Sequence, residues 1–268
     1  MILCYARGDG LGHLTRLRAV LHTLGRDGEV AVVTGSPFAA DPRVADGWLV
    51  RDDLSRALAE LEPDELIVDA FPAGLKGELG ALPAVPSGTR VTHLARLLRW
   101  DAYRPLLSAV RPRFDRTFVL EPLDPAHEAY LRAVSDEVAP LALTDPPSEP
   151  LDAEGWIIVH GGPDAEIREL VAYAADMAAA ERARPPMTLV APRRPDGLPA
   201  GIAHLDAYPA CPPGSRVERI VTAAGFNSVR QYGPWRDLHR MLPFPRSLDD
   251  QFARARRARS AAARSTSR

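Results

Sequence analysis

The strongest constraint on the fold is a pattern met near both ends of the chain: a short apolar run, a break at glycine, then a helix start. Ile2-Leu3-Cys4-Tyr5-Ala6 is a continuous apolar run, as expected of a strand buried on both faces. Gly8-Asp9-Gly10-Leu11-Gly12-His13 follows, and Leu14, Leu17, Val20, Leu21 and Leu24 then share one face of a helix that Gly25 ends. Toward the other end, residues 219–222 form an apolar strand, and Ala224-Gly225-Phe226-Asn227-Ser228 opens a helix. Between them the same alternation continues. Strands are expected at 29–34, 66–70, 90–95, 117–120, 156–160, 187–191, 202–205 and 239–242. Helices are expected around Leu54-Leu58-Leu61, from Ile167 toward Arg182, and over 248–262. Repeated strand–helix units of this kind build parallel sheets.

Residues 144–151 carry Pro146, Pro147 and Pro150, which forbid regular structure and mark a linker. The chain therefore divides into an N-terminal domain over 1–143 and a C-terminal domain over 152–268, the latter ending in a helix and a basic tail. A length of 268 residues gives each half enough chain for a core of its own.

Composition excludes several classes of function. The net charge of −2 gives no reason to expect a nucleic-acid partner. Cys4 and Cys211 are the two cysteines, too few for a disulfide framework and without metal-ligand spacing, so no metal and no cofactor are expected. No run approaches the ~20 apolar residues of a membrane span. The expected location is cytoplasmic. Leu94-Ala95-Arg96-Leu97-Leu98-Arg99-Trp100 has two readings, a peripheral contact with the inner membrane face or a strand end with a half-buried loop.

The glycine loops have functional and structural readings. Free backbone N–H groups and the helix dipole make a helix start after a strand a place for phosphate. Gly8, Gly10 and Gly12 are spaced G-x-G-x-G, which is neither the dinucleotide fingerprint nor a P-loop, and a tight turn explains them equally well. His13 sits where a side chain overhangs the carboxyl ends of the strands. It is a candidate general base, or else a helix-start residue that bonds the loop. Asp69, at a strand end, is a candidate to orient that imidazole, or else forms an ordinary turn; Asp101 is the competing partner.

Three segments resemble the GT-B glycosyltransferases, namely the bacterial N-acetylglucosaminyltransferase acting on lipid intermediates and the UDP-glycosyltransferases. Gly10-Leu11-Gly12-His13-Leu14-Thr15-Arg16 is similar to their G-x-G-H loop. Thr222-Ala223-Ala224-Gly225-Phe226-Asn227-Ser228-Val229-Arg230-Gln231 resembles their donor-site segment, and Pro243-Phe244-Pro245 through Asp249-Asp250-Gln251 resembles their P-x-x-x-D-Q stretch. The resemblance implies an α/β chain of two Rossmann-like domains facing across a cleft, the second one trimmed. It implies transfer of a sugar from a nucleotide-diphosphate donor, UDP-linked by analogy, to a lipid-linked or small-molecule hydroxyl, with inversion.

In that scheme His13 deprotonates the acceptor. Gly225, Asn227 and Ser228 hold the diphosphate, with Gly161 and Gly162 on the phosphate side. Asp250 and Gln251 bind sugar hydroxyls. Gly10 and Gly12 shape the loop, and Gln231 stands where the family has a ribose-binding glutamate. A sugar-nucleotide epimerase or hydrolase, and a non-catalytic nucleotide-sugar-binding protein, are the alternatives.

Overall fold

The computed structural model describes residues 1–26, 28–81, 85–107, 111–208 and 211–265. Pro209 and Ala210 of the proline-bearing loop, and the last residues of the basic tail, lie outside the described residues. The chain forms two compact units. One comprises Met1–Pro146 with Ser247–Asp249, and the other Pro147–Arg246 with Asp250–Arg268.

The first unit is built on strands β1 (Ile2–Tyr5), β2 (Val30–Val33), β3 (Leu49–Arg51), β4 (Glu65–Asp69), β5 (Arg90–Ala95), β6 (Phe114–Val119) and β7 (Ser135–Pro140). Helices α1 (Leu11–Thr23), α2 (Pro42–Ala45), α3 (Leu54–Leu61), α4 (Trp100–Tyr103) and α5 (Pro125–Val134) lie between them in the chain. The sheet order is β3-β2-β1-β4-β5-β6-β7, and every pairing is parallel. Strands β1, β2 and β4 are buried along their whole length, which is why β1 and β2 read as unbroken apolar runs and β4 as an apolar centre between Glu65 and Asp69. The order reverses between β1 and β4, so the loops after these two strands border the crevice where such sheets bind ligands.

The second unit repeats the plan with β8 (Gly155–Val159), α6 (Asp164–Ala180), β9 (Met187–Val190), β10 (Ile202–Leu205), β11 (Val217–Ala223), α7 (Phe226–Gln231), β12 (His239–Leu242) and α8 (Gln251–Ser265). Its sheet runs β10-β9-β8-β11-β12, again all parallel, with the reversal between β8 and β11. One face of this sheet packs Trp156, Ile158 and Val221 against the Ile167, Leu170, Val171 and Ala174 stripe of α6. The expected stripe of that helix is thus the one buried, and Arg182, at φ 54°, stands just past its end.

One expectation is corrected. The terminal helix starts at Gln251, not at 248, because Asp250 caps it: its carboxylate accepts from the Ala253 N–H. Leu248 instead belongs to the first unit, where its carbonyl accepts from the Arg99 N–H. The Leu94–Trp100 stretch takes the second of its two readings, a strand end followed by a loop, since β5 ends at Ala95. Leu94, Leu97, Leu98 and Trp100 are all buried, and Trp100 stacks on His127 with ring centroids 4.3 Å apart. Among the described residues no helix is long and apolar enough to cross a membrane.

Three histidines are buried as neutral rings. Burial holds His93 down at about 3, helped by His127; it holds His127 at about 4 and, with Arg240 nearby, His239 at about 4. Among the described residues neither ring nitrogen of His127 has a hydrogen-bond partner. The unfolded chain binds these protons near pH ~6.5, so it holds more protons than the fold between there and about 4. Stability is therefore full above ~6.5 and falls as pH drops through this window. Chemical denaturation at stepped pH should show that loss, and His127→Phe should flatten its slope by about one proton.

Candidate active site

At the switch point of the first sheet, β1 and β4 pair directly, with Tyr5 opposite Val68. Asp69 ends β4 and His13 lies in the first turn of α1, so the two loops bring their side chains together. His13 Nδ1 is 2.6 Å from Asp69 Oδ2. A carboxylate at that distance requires Nδ1 to carry the proton, which leaves the Nε2 lone pair as the acceptor. Asp101, the other candidate partner, is exposed on α4 and makes no hydrogen bond or ion pair among the described residues.

Arg16 completes the group. One turn after His13, its Nε donates to Asp69 Oδ1 and its Nη2 to Asp69 Oδ2, each at 2.6 Å. Both side chains are buried. Burial alone would raise the Asp69 pKa, but the Arg16 guanidinium and the His13 bond hold it well below the usual carboxylate range. Asp69 is thus fixed as an anion. The His13 pKa is lowered: burial favours the neutral ring, the Asp69 contact opposes this, and Arg16 and Arg96 reinforce it. A residual 15% of its side chain stays open to solvent, so the ring is sheltered yet reachable.

The surrounding backbone is shaped to the ring. Gly8 has φ 150°, and a Cβ there would stand 2.8 Å from His13 Nε2. Ala70, directly after Asp69, is held at φ 75°, a conformation alanine rarely adopts. The turn that follows is pinned by Tyr103, whose hydroxyl accepts from the Ala73 N–H at 2.9 Å and donates to the Gly74 carbonyl at 2.8 Å. Ser36 ties the neighbouring loop to the Gly10 carbonyl. Gly12 is exposed beside His13. Arg96 is buried, ion-paired with Asp249, and lies over the Phe71 ring that neighbours His13. Arg16 and Arg96 received no role from the sequence, because arginine is normally read as surface.

The second sheet offers a matching pair of loops after β8 and β11. Gly225 is the N-cap of α7, which is six residues long, and nothing lies within 4 Å of where its Cβ would be. Asn227 and Ser228 are half-buried on the first turn of that helix, and Gln231 is its last residue, also half-buried. Gly161 and Gly162 follow β8, and Gly162 lies against the His160 ring.

Below that loop is a cluster the sequence reading missed. Glu166 accepts from His160 Nε2 at 2.9 Å and from both terminal nitrogens of Arg246. Burial opposes its ionisation, yet these two partners pull the Glu166 pKa down to about 2. Gln251 is buried, and its Oε1 accepts from the Phe244 N–H at 3.0 Å, while Asp250 caps α8. Both side chains therefore already shape the Phe244–Gln251 turn. Among the described residues no group of three or more His, Cys, Asp or Glu side chains is arranged to hold a metal ion.

No protein-family model matches the chain. No curated protein matches it either. Solved structures do. The spinosyn forosaminyltransferase SpnP superposes with a TM-score of 0.60 at 12% identity, over 98% of this chain and 83% of that one. The glycosyltransferase SnogD from Streptomyces nogalater gives a TM-score of 0.53 at 14% identity, over 91% and 82%. The glycotransferase of kitacinnamycin gives 0.52 at 15% identity, over 93% and 82%. The chain has a glycosyltransferase fold. The two parallel sheets, of seven and five strands, are its two Rossmann-like domains, and the second is the smaller. Within this glycosyltransferase fold, the His13 loop and the Gly225 loop each follow a strand at the switch point of its own sheet.

Proposed function

We propose that the protein transfers a sugar from a nucleotide-diphosphate donor, UDP-linked by analogy, to a hydroxyl acceptor, with inversion and without metal. The observation that carries this reading is the His13–Asp69–Arg16 group, since a bare helix-start histidine would not need a buried, permanently ionised carboxylate behind it. Asp69 holds the Nδ1–H tautomer, so Nε2 takes the proton from the acceptor hydroxyl as it attacks the anomeric carbon. The bond from that carbon to the diphosphate oxygen breaks on the opposite face, and the nucleoside diphosphate leaves with the electron pair. Asp69 then faces the imidazolium and stabilises it.

The first unit supplies the base. The second binds the donor, with the diphosphate against the backbone at Gly225 and the Asn227 and Ser228 groups that follow it. Gly161 and Gly162 line its phosphate side, Gln231 reaches the ribose, and Asp250 with the Gln251 amide N–H face the sugar. An acceptor that is lipid-linked or small is compatible with this scheme, as is peripheral attachment to the inner membrane face by a route other than Trp100.

The donor site is tested by Gly225→Val. Open space surrounds the glycine in the folded chain, so the valine should leave the fold intact and obstruct only a ligand lying on the backbone. Calorimetric titration with UDP-, GDP- and dTDP-sugars should show binding in the parent protein. It should be weaker by one to two orders of magnitude in the variant, roughly 1.4–2.8 kcal/mol. Equal affinity in a folded variant removes the site from Gly225.

A further inference from the structure

A cavity lies in the C-terminal unit among α6, α7, β12 and α8. It has a volume of about 400 Å³ and is lined by Tyr173 of α6, Val229 of α7, Arg236, residues 239–241 at the start of β12, and Ala258 and Arg259 of α8. His239 pairs with Ile220, whereas the residue leading to Gly225 is Ala223, opposite Leu242. The cavity thus runs along β12: His239, at its far end, lies about 10 Å along the sheet from the level of Ala223, and Met241, opposite Thr222, lies one residue from that level.

Its chemistry is distinctive. Arg236, Arg240 and Arg259 reach it from three different elements, and among the described residues no carboxylate pairs with any of them. Each guanidinium is anchored by backbone carbonyls: Arg236 by Gly233, Arg240 by Asp237 and His239, and Arg259 by Met241. Those bonds tether the guanidinium groups at the cavity and leave other N–H donors available. Tyr173 packs its ring on the core and makes no hydrogen bond among the described residues, so its hydroxyl is a further donor. Val229, Met241 and Ala258 supply an apolar wall beside this charge.

We propose that this cavity binds a phosphate ester with an apolar body: the three arginines and Tyr173 take the phosphoryl oxygens, and the apolar wall takes the organic group. The site does not depend on the activity proposed above. Two sources share this chemistry, a soluble alkyl phosphate and a phospholipid headgroup.

The experiment titrates the full chain with n-hexyl phosphate and with inorganic phosphate by calorimetry. It also sediments the chain with phosphatidylcholine vesicles, with and without phosphatidic acid. Binding of hexyl phosphate in solution identifies a soluble ester, and binding only to vesicles with phosphatidic acid identifies a headgroup. In either case Arg240→Gln with Arg259→Gln should weaken binding about tenfold or more. Arg168→Gln, an exposed arginine outside the cavity, should leave it unchanged, and so should Gly225→Val, which probes the donor site. Arg236→Gln, at the exposed rim, gives the same reading if the double variant fails to fold. The proposal is overturned by no saturable binding of either probe, by wild-type affinity in the arginine variants, or by inorganic phosphate binding as tightly as hexyl phosphate.

Discussion

His13→Ala should bind a nucleotide sugar almost as the parent protein does, yet turn it over ~10²–10⁴ times more slowly, the usual worth of a positioned base. The split would arise because His13 belongs to the first unit, whereas Gly225, Asn227 and Ser228, the proposed donor contacts, belong to the second. His13→Gln keeps a polar group but cannot take the proton, and it should be nearly as slow. The pH profile of kcat/KM carries a second signature. The ring works as a base only when neutral, so activity falls as pH drops through its pKa. Burial lowers that pKa, so the acid limb should lie below the ~6.5 of a free histidine. A limb above 6.5, or full turnover in the alanine variant, would assign the proton transfer elsewhere.

Asp69→Asn should be strongly destabilising. It leaves the Arg16 guanidinium buried, with its carboxylate gone. Losing one partner of a buried pair costs about 3–5 kcal/mol, whereas replacing both by apolar residues of similar volume is often neutral. Urea unfolding should therefore show a large loss for Asp69→Asn and substantial recovery in Asp69→Leu with Arg16→Met. The recovered double variant should remain inactive, because His13 has lost the group that fixes its tautomer. A double variant as unstable as the single one would mean that Asp69 is held by something other than its pair with Arg16.

The parallel sheets were legible because their central strands are buried on both faces, which forces continuous apolar runs such as Ile2–Tyr5 and the Leu66-Ile67-Val68 centre of β4. Edge strands escape that rule. Ser135–Pro140 is polar and partly exposed, and Leu49–Arg51 is short with two exposed residues, so neither was foreseen. Pro125–Val134 was also missed, since a histidine heads its short buried stripe of His127, Leu131 and Val134.

The site was legible in part. His13 and Asp69 stand at strand ends, where topology gives a side chain a predictable direction. Arg16 was in plain view in the loop motif, but nothing local shows that its charge is buried against a residue 53 positions away. Glu166 and Arg246 are 80 positions apart, and no spacing rule joins them. Gln251 was read as a sugar ligand; the sequence did not show that its Oε1 also accepts from the Phe244 N–H, which leaves its second lone pair and its amide N–H groups for a ligand.

The central claim is tested most directly by nucleotide release measured in EDTA, with UDP-, GDP- and dTDP-sugars, in the presence and absence of a panel of hydroxyl acceptors. Nucleoside diphosphate release should require an acceptor, persist without metal and collapse in His13→Ala. Binding of the donor with no acceptor-dependent release across the panel would contradict the claim and make the protein a nucleotide-sugar binder.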